Sequence, residues 1–171
     1  MKRIFFALWP DQVTRAKIDL LNKSLFCRHL KKVRPRNLHV TLAFMGRVDD
    51  KIERSIRRSI PDITAEPITI FFDQLTSWSD AGVLCLTSSK QPQQIIDLVE
   101  QLKIVIGDCG VELDSRPYTA HVTLARKVQP NPTTMLTSIC WHAISFALVE
   151  SVSTARGVDY QVLESWPLGY S

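Results

Sequence analysis

Apolar residues change their period twice within the first 44 positions. From Ile4 to Trp9 they are continuous, a short run of strand formers. After Pro10 they fall at helical spacing, at Val13, Ala16, Leu20 and Leu21. A polar, basic stretch follows, and then His39-Val40-Thr41-Leu42 alternates like a strand. The same succession returns later. Val83 to Leu86 is a strand run, Pro92 opens a helix, and Ile95, Leu98, Val99, Leu102 and Ile106 mark its apolar face. Gly107 and Gly110 end that helix, and His121-Val122-Thr123-Leu124 alternates again. Each proline suits the first turn of a helix, where a missing N–H costs nothing.

The remaining segments read more simply. Lys51 to Ile60 is a short basic helix ended by Pro61. Ile68 to Phe72 is a strand; Ile144, Phe146 and Leu148 alternate on one face; Val158, Tyr160 and Val162 form a final strand. Gln129-Pro130-Asn131-Pro132-Thr133 is a loop.

The recurrence is a sequence repeat as well as a pattern. Residues 34–43, RPRNLHVTLA, match residues 116–125, RPYTAHVTLA, at seven of ten positions without a gap. The offset is 82 residues (121 − 39). Pro10 and Pro92 each lie 29 residues before a box histidine, and Gln12 and Leu20 recur as Gln94 and Leu102. Two units are too few for a solenoid. The expectation is one α+β domain over residues 1–171, with two pseudo-symmetric lobes. Each lobe is an antiparallel sheet with helices on its outer face, and a cleft lies between them.

Composition permits this. Of 171 residues 45% are hydrophobic, enough for a sizeable core, and the formal charge of +4 suits an anionic ligand without requiring one. Cys27, Cys85, Cys109 and Cys140 match no metal framework and read as reduced core residues of a cytoplasmic protein. The apolar start is too short for a signal peptide and ends at Pro10-Asp11; no run approaches the length of a membrane helix.

The chemistry lies in the alternation. His39 and Thr41 share one strand face, and Val40 and Leu42 the packed one; His121 and Thr123 stand likewise against Val122 and Leu124. A single His-x-Thr is a weak signal. Packing explains retention of Val, Leu and Ala in both copies, but not of His and Thr on the opposite face. Two imidazoles facing one cleft make a general acid and a general base, which can split a phosphodiester without a metal. A zinc site is the weaker reading, because no acidic or cysteine ligand recurs beside either box. His29 and His142 lack the flanking pattern and read as structural or surface residues.

Neighbouring residues leave alternatives open. Arg28, Lys31, Lys32, Arg34 and Arg36 lead into the first box, either as a solvated loop or as a rail for a phosphate backbone. Phe44, Trp78 and Tyr118 either pack in the core or stack on bases, with Tyr118 three residues from His121 the best placed. Lys51, Arg54 and Arg58 share a helix face turned to solvent.

These residues resemble the two-histidine phosphoesterase superfamily, defined by paired His-x-Thr motifs. Within it the chain is similar to the RNA 2′,3′-cyclic phosphodiesterases, historically called 2′-5′ RNA ligases. The resemblance rests on Arg3-Ile4-Phe5-Phe6-Ala7, on Asn37 to Gly46, on Arg116-Pro117-Tyr118 with His121 to Arg126, and on Arg156-Gly157-Val158-Asp159-Tyr160. It implies His39 as proton donor, His121 as proton acceptor, and Thr41, Thr123 and Arg126 as phosphate ligands. Arg34, Arg36, Phe44 and Tyr118 are candidate RNA contacts. It also implies RNA ends bearing a 2′,3′-cyclic phosphate, tRNA fragments among them, as partner, with no cofactor, metal or membrane. Joining a 5′-hydroxyl to such an end would be 2′-5′ ligation.

Two departures stand out. Ala120 occupies a position where the family often has proline. Strict alternation puts Arg126 on the face opposite His121, unless the strand ends or bulges near Ala125. Alternatives to hydrolysis at RNA ends are an RNA-end-binding module without turnover and a cyclic phosphodiesterase for a small nucleotide such as an ADP-ribose cyclic phosphate. For the enzyme, two histidines of ordinary pKa predict a bell-shaped pH profile centred near neutrality.

Overall fold

A computed structural model describes residues 1–25, 30–127, 136–155 and 157–169. Seven strands form one main antiparallel ladder, ordered β10 (Gly157–Pro167), β9 (Ser145–Thr154), β1 (Lys2–Leu8), β3 (Val40–Val48), β7 (His121–Arg126), β6 (Val83–Thr87) and β5 (Gln74–Trp78). The two-residue β2 (Lys31–Lys32) also pairs with β7, and β4 (Ile68–Phe72) pairs with β8 (Ile139–Ala143) in a small separate sheet. The halves of the main sheet meet at a single pair, Val40 opposite Val122. These are the same position of the repeat (122 − 40 = 82), so an antiparallel pairing there sets a local twofold axis through the junction.

Behind this sheet lies one large apolar cluster that draws on both halves, including Ile4, Phe6, Leu8, Leu38, Val40, Leu86, Ala120, Val122 and Leu124. The helices α1 (Gln12–Ser24), α2 (Asp50–Ser59) and α3 (Gln93–Asp108) frame it. They cross over: α1 lies against β8 and α3 against β3. In α3 the buried face is the expected one, Ile95, Leu98, Val99, Leu102 and Ile106. Gly110, at φ +82°, closes the helix: its N–H donates to the Gly107 carbonyl, and Val111 N–H donates to Ile106.

In α1 the expectation holds only for Leu21, which packs on the core. Val13, Ala16 and Leu20 face solvent, and Thr14, Ile18 and Asn22 are buried instead. Two bonds explain the buried amide: Asn22 Nδ2 donates to the Leu124 carbonyl at 3.1 Å and to Val33 at 3.3 Å. Asp11 rather than Pro10 caps this helix, accepting from Thr14 N–H at 2.7 Å. The Leu20–Leu102 match is therefore not structural, since Leu102 is fully buried.

Other expectations need smaller correction. Ile144 is exposed in the connection before β9, while Phe146 and Leu148 enter the core. Among the described residues only Cys85 is a core cysteine; Cys109 is half-buried and Cys140 exposed. Cys27, Arg28, His29, Arg156 and the 129–133 tract lie outside the described residues. Among the described residues no helix is long and apolar enough to cross a membrane.

Candidate active site

Each box begins with backbone that aims its histidine. Arg34-Pro35 leads into a short turn, Pro35–Asn37, and the His39 ring turns back so that Nδ1–H donates to the Asn37 carbonyl at 2.7 Å. In the second box His121 Nδ1–H donates to the Thr119 carbonyl at 2.8 Å. A carbonyl only accepts, so Nδ1 carries the proton in both rings and Nε2 is left as the basic nitrogen. On His39 that nitrogen accepts from the Thr41 hydroxyl at 2.9 Å.

Both box strands then bulge at the same place. Along β1 and β3 the register runs Ala7–Thr41 and Phe6–Ala43, skipping Leu42. Along β6 and β7 it runs Cys85–Thr123 and Leu84–Ala125, skipping Leu124. The extra residue inverts the alternation. Leu42 with Ala43, and Leu124 with Ala125, are buried in succession, and the next residues, Phe44 and Arg126, come round to the histidine face. Arg126 is thus on the same face as His121 and Thr123, and its charge is felt at His39 and at Cys85. The strands preceding the boxes match at 78 residues rather than 82: Leu8 pairs with Val40 and Leu86 with Val122 (86 − 8 = 78).

The surroundings of the two rings differ. His39 is enclosed by aromatics: Phe5 at 5.0 Å, Tyr160 edge-on at 5.1 Å and Trp9 stacked at 5.7 Å. Burial pushes its pKa down to about 4, helped by the charges of His121 and Arg126 and opposed by the Asn37 bond. Among the described residues His121 has one aromatic neighbour, Trp78, edge-on at 4.7 Å. Around it are Thr87, opposite it in β6 and bonded to Thr76 at 2.7 Å, and Cys85, 3.9 Å from the Thr123 hydroxyl. Burial lowers the His121 pKa as well, against its Thr119 bond. The Cys85 thiol is raised by burial to about 11, which leaves it protonated and unreactive.

The remaining candidates divide. Phe44 is open at 46% exposure, over which Arg3 lies at 5.0 Å. Tyr118 is not an open stacking face: its ring packs on the core and its hydroxyl donates to the Thr41 carbonyl at 3.0 Å. Arg34 and Arg36 do not form a free rail, because Asp159 on β10 forms ion pairs with both, at 3.5 and 2.6 Å. Lys31 stands directly across from Arg126, which puts a second cation at the cleft. His142 is exposed, bonded to Thr69 at 2.8 Å, far from both boxes in the small sheet. Among the described residues no three His, Cys, Asp or Glu side chains gather as a ligand set. Sequence reasoning missed the roles of Phe5, Trp9 and Tyr160; the alternation through Tyr160 was the available signal.

Two imidazoles locked alike on one face of a pseudo-twofold sheet, each with a threonine two residues on, define the class. The chain belongs to the 2′-5′ RNA ligase superfamily, whose description matches residues 7–153. Among its relatives, the RNA 2′,3′-cyclic phosphodiesterase of Escherichia coli (strain K12) is 28% identical over 170 residues, 98% of this chain and 97% of that protein. The protein of the same name from Thermus thermophilus is 26% identical over 185 residues, 97% and 90% of the two chains. The crystal structure of E. coli LigT in apo form superposes with a TM-score of 0.90 at 25% identity, over 99% of this chain and 98% of that one. The α+β two-lobed fold expected from the repeat is the fold these structures share.

Proposed function

We propose that the protein hydrolyses a terminal 2′,3′-cyclic phosphate on RNA to a 2′-phosphomonoester by acid–base catalysis between its two histidines. The observation that carries this reading is the identical Nδ1–H lock on both rings, which leaves two Nε2 atoms for proton transfer. His121 Nε2 takes a proton from water as the water oxygen bonds to phosphorus. The bond from phosphorus to the 3′ oxygen breaks in line, and His39 Nε2–H protonates that oxygen. Thr41, Thr123 and Arg126 donate to the phosphate oxygens as charge builds on them. A 5′-hydroxyl in place of water would give a 2′-5′ linkage.

His39 reaches its protonated form against the bias of its box, so the anionic substrate itself must restore its proton affinity. A phosphate charge beside the ring does so directly. Names carried by the relatives support the substrate class. Phe44, at the Arg126 position of the other half, offers a face for the terminal base.

The test is a short RNA ending in a 2′,3′-cyclic phosphate, incubated with the protein in EDTA. Formation of a 2′-phosphate is the expected result. No turnover, or turnover that chelation abolishes and zinc or manganese restores, overturns the two-histidine reading.

A further inference from the structure

On the histidine face of the first half, one row of directly paired residues crosses four strands: Phe44, Phe5, Val149 and Val162. All four are apolar, and Phe44 and Val162 are exposed at 46% and 43%. The next row along β1 and β3 changes character. Arg3 stands directly opposite Arg47, and both are exposed. Paired residues share a face, and like charges directly opposite each other cost stability.

A second bulge creates this pair. Met45 is skipped between the Phe5–Phe44 and Ile4–Gly46 pairs, and Gly46 sits at φ +70°, where side-chain-bearing residues are strained. Without it, continued alternation from Phe44 would turn Arg47 towards the core. With it, Val48 is buried and Arg47 faces the cleft. Among the described residues no carboxylate lies within ion-pair distance of Arg3 or Arg47, whereas Arg34 and Arg36 both have Asp159. Arg3 instead lies over the Phe44 ring.

The features form a continuous path. His39 touches Phe5 at 5.0 Å, Phe5 neighbours Phe44 at 6.5 Å, and Arg3 covers Phe44 at 5.0 Å. Arg3 is four residues along β1 from Ala7, the partner of Thr41, a distance of about 13 Å at strand spacing. A stacked strand rises about 3.4 Å per nucleotide and an extended one more, so this reach falls within about four nucleotides.

We propose that Arg3 and Arg47 form a backbone-phosphate site for single-stranded RNA upstream of the reacting end. The chain then runs along β1 and β3, with a base on Phe44 between the two anionic anchors. Two arginines paired across the ladder without an acid are balanced when a phosphate lies between them, and aromatic rings alternating with cations suit single strands. This rests on the RNA reading above and adds the direction of the bound strand, over the first half rather than past Arg34 and Arg36.

The test compares a cyclic mononucleotide with a five-nucleotide RNA ending in a 2′,3′-cyclic phosphate, for the parent protein and for Arg3→Gln/Arg47→Gln. The parent should prefer the longer substrate in kcat/KM. The double variant should lose about tenfold of that preference and keep its mononucleotide rate, with a thermal midpoint no lower than the parent's. Its salt slope on the oligonucleotide, log kcat/KM against log salt, should flatten by about 0.7, the share of one phosphate contact on a single strand. A preference and slope unchanged in the double variant overturn this site alone. A parent that cleaves the mononucleotide with no preference for length also overturns it, while the cyclic-phosphate chemistry stands. A parent that cleaves neither overturns the proposed function, and this inference with it.

Discussion

The two copies of the box hold the same backbone geometry and opposite environments. His39 sits among Phe5, Trp9 and Tyr160, whereas His121 sits by Trp78 with Thr87 and Cys85 near it. The residue delivered by the bulge differs in the same sense, Phe44 on one side and Arg126 on the other. A duplicated frame has been kept for aiming, and the chemistry has been divided by what packs around it. Two groups of one kind can act as acid and base only when their surroundings hold their proton affinities apart. Here the aromatic half makes the harder histidine to protonate, so its charged form depends on the ligand.

The largest expected effect removes the shared element. His39→Ala and His121→Ala should each lower turnover of a cyclic phosphate by about 10²–10⁴-fold with the fold intact. Near-parental activity in either, at an unchanged thermal midpoint, would remove that ring from the mechanism. Next come the bulge residues, which should separate cleanly. Arg126→Ala loses a charged phosphate contact and should cost about 10²-fold in kcat on substrates of every length. Phe44→Ala should act mainly on KM, and only where a base is present. Equal behaviour of the two would mean that the halves are not divided as described.

The pH dependence sharpens the comparison further. With the free-protein pKa of His39 at about 4 and that of His121 also lowered, kcat/KM should peak on the acid side of neutrality, not near it as ordinary histidines suggest. Trp9→Ala opens one face of the box to water and should move that maximum back towards neutrality, with the His39 proton resonances titrating higher. A maximum near neutrality that Trp9→Ala leaves in place would show that the box does not set the proton affinity of His39. Stability gives a smaller, independent readout. A histidine with a depressed folded pKa contributes fully above its unfolded value near 6.5, and that contribution is lost as pH falls towards about 4. The thermal midpoint should decline across that window, and less so in His39→Ala.

Legibility from sequence followed the physics of each element. The repeat announced both histidines and both threonines, because alternation keeps residues two apart on one face. Helix α3 was legible because its buried face is wholly apolar. Helix α1 was not, because its buried positions include Thr14 and Asn22, and the Asn22 amide nitrogen donates to carbonyls 11 and 102 residues away. Arg126 was ambiguous for one reason: no pattern of side chains declares where a ladder skips a residue. Strand β5, Gln-Leu-Thr-Ser-Trp, has too little apolar character to stand out. The sequence leaves Tyr118 open between core packing and base stacking, and only the fold reveals that its hydroxyl ties the second box to the Thr41 carbonyl of the first.

The enclosure of His39 also has a consequence in time. Its walls are residues 5, 9 and 160, and β1 lies between β3 and β9 in the sheet. A ribosome releases Phe5 and Trp9 long before Tyr160, so a nascent chain can carry both histidines and still lack the box. Chains generally fold from the N-terminus as they emerge, but here β1 must wait for β9 and β10 to cover it. The low proton affinity of His39 is therefore a property of the assembled sheet alone, and its titration would report that β1 and β10 have met.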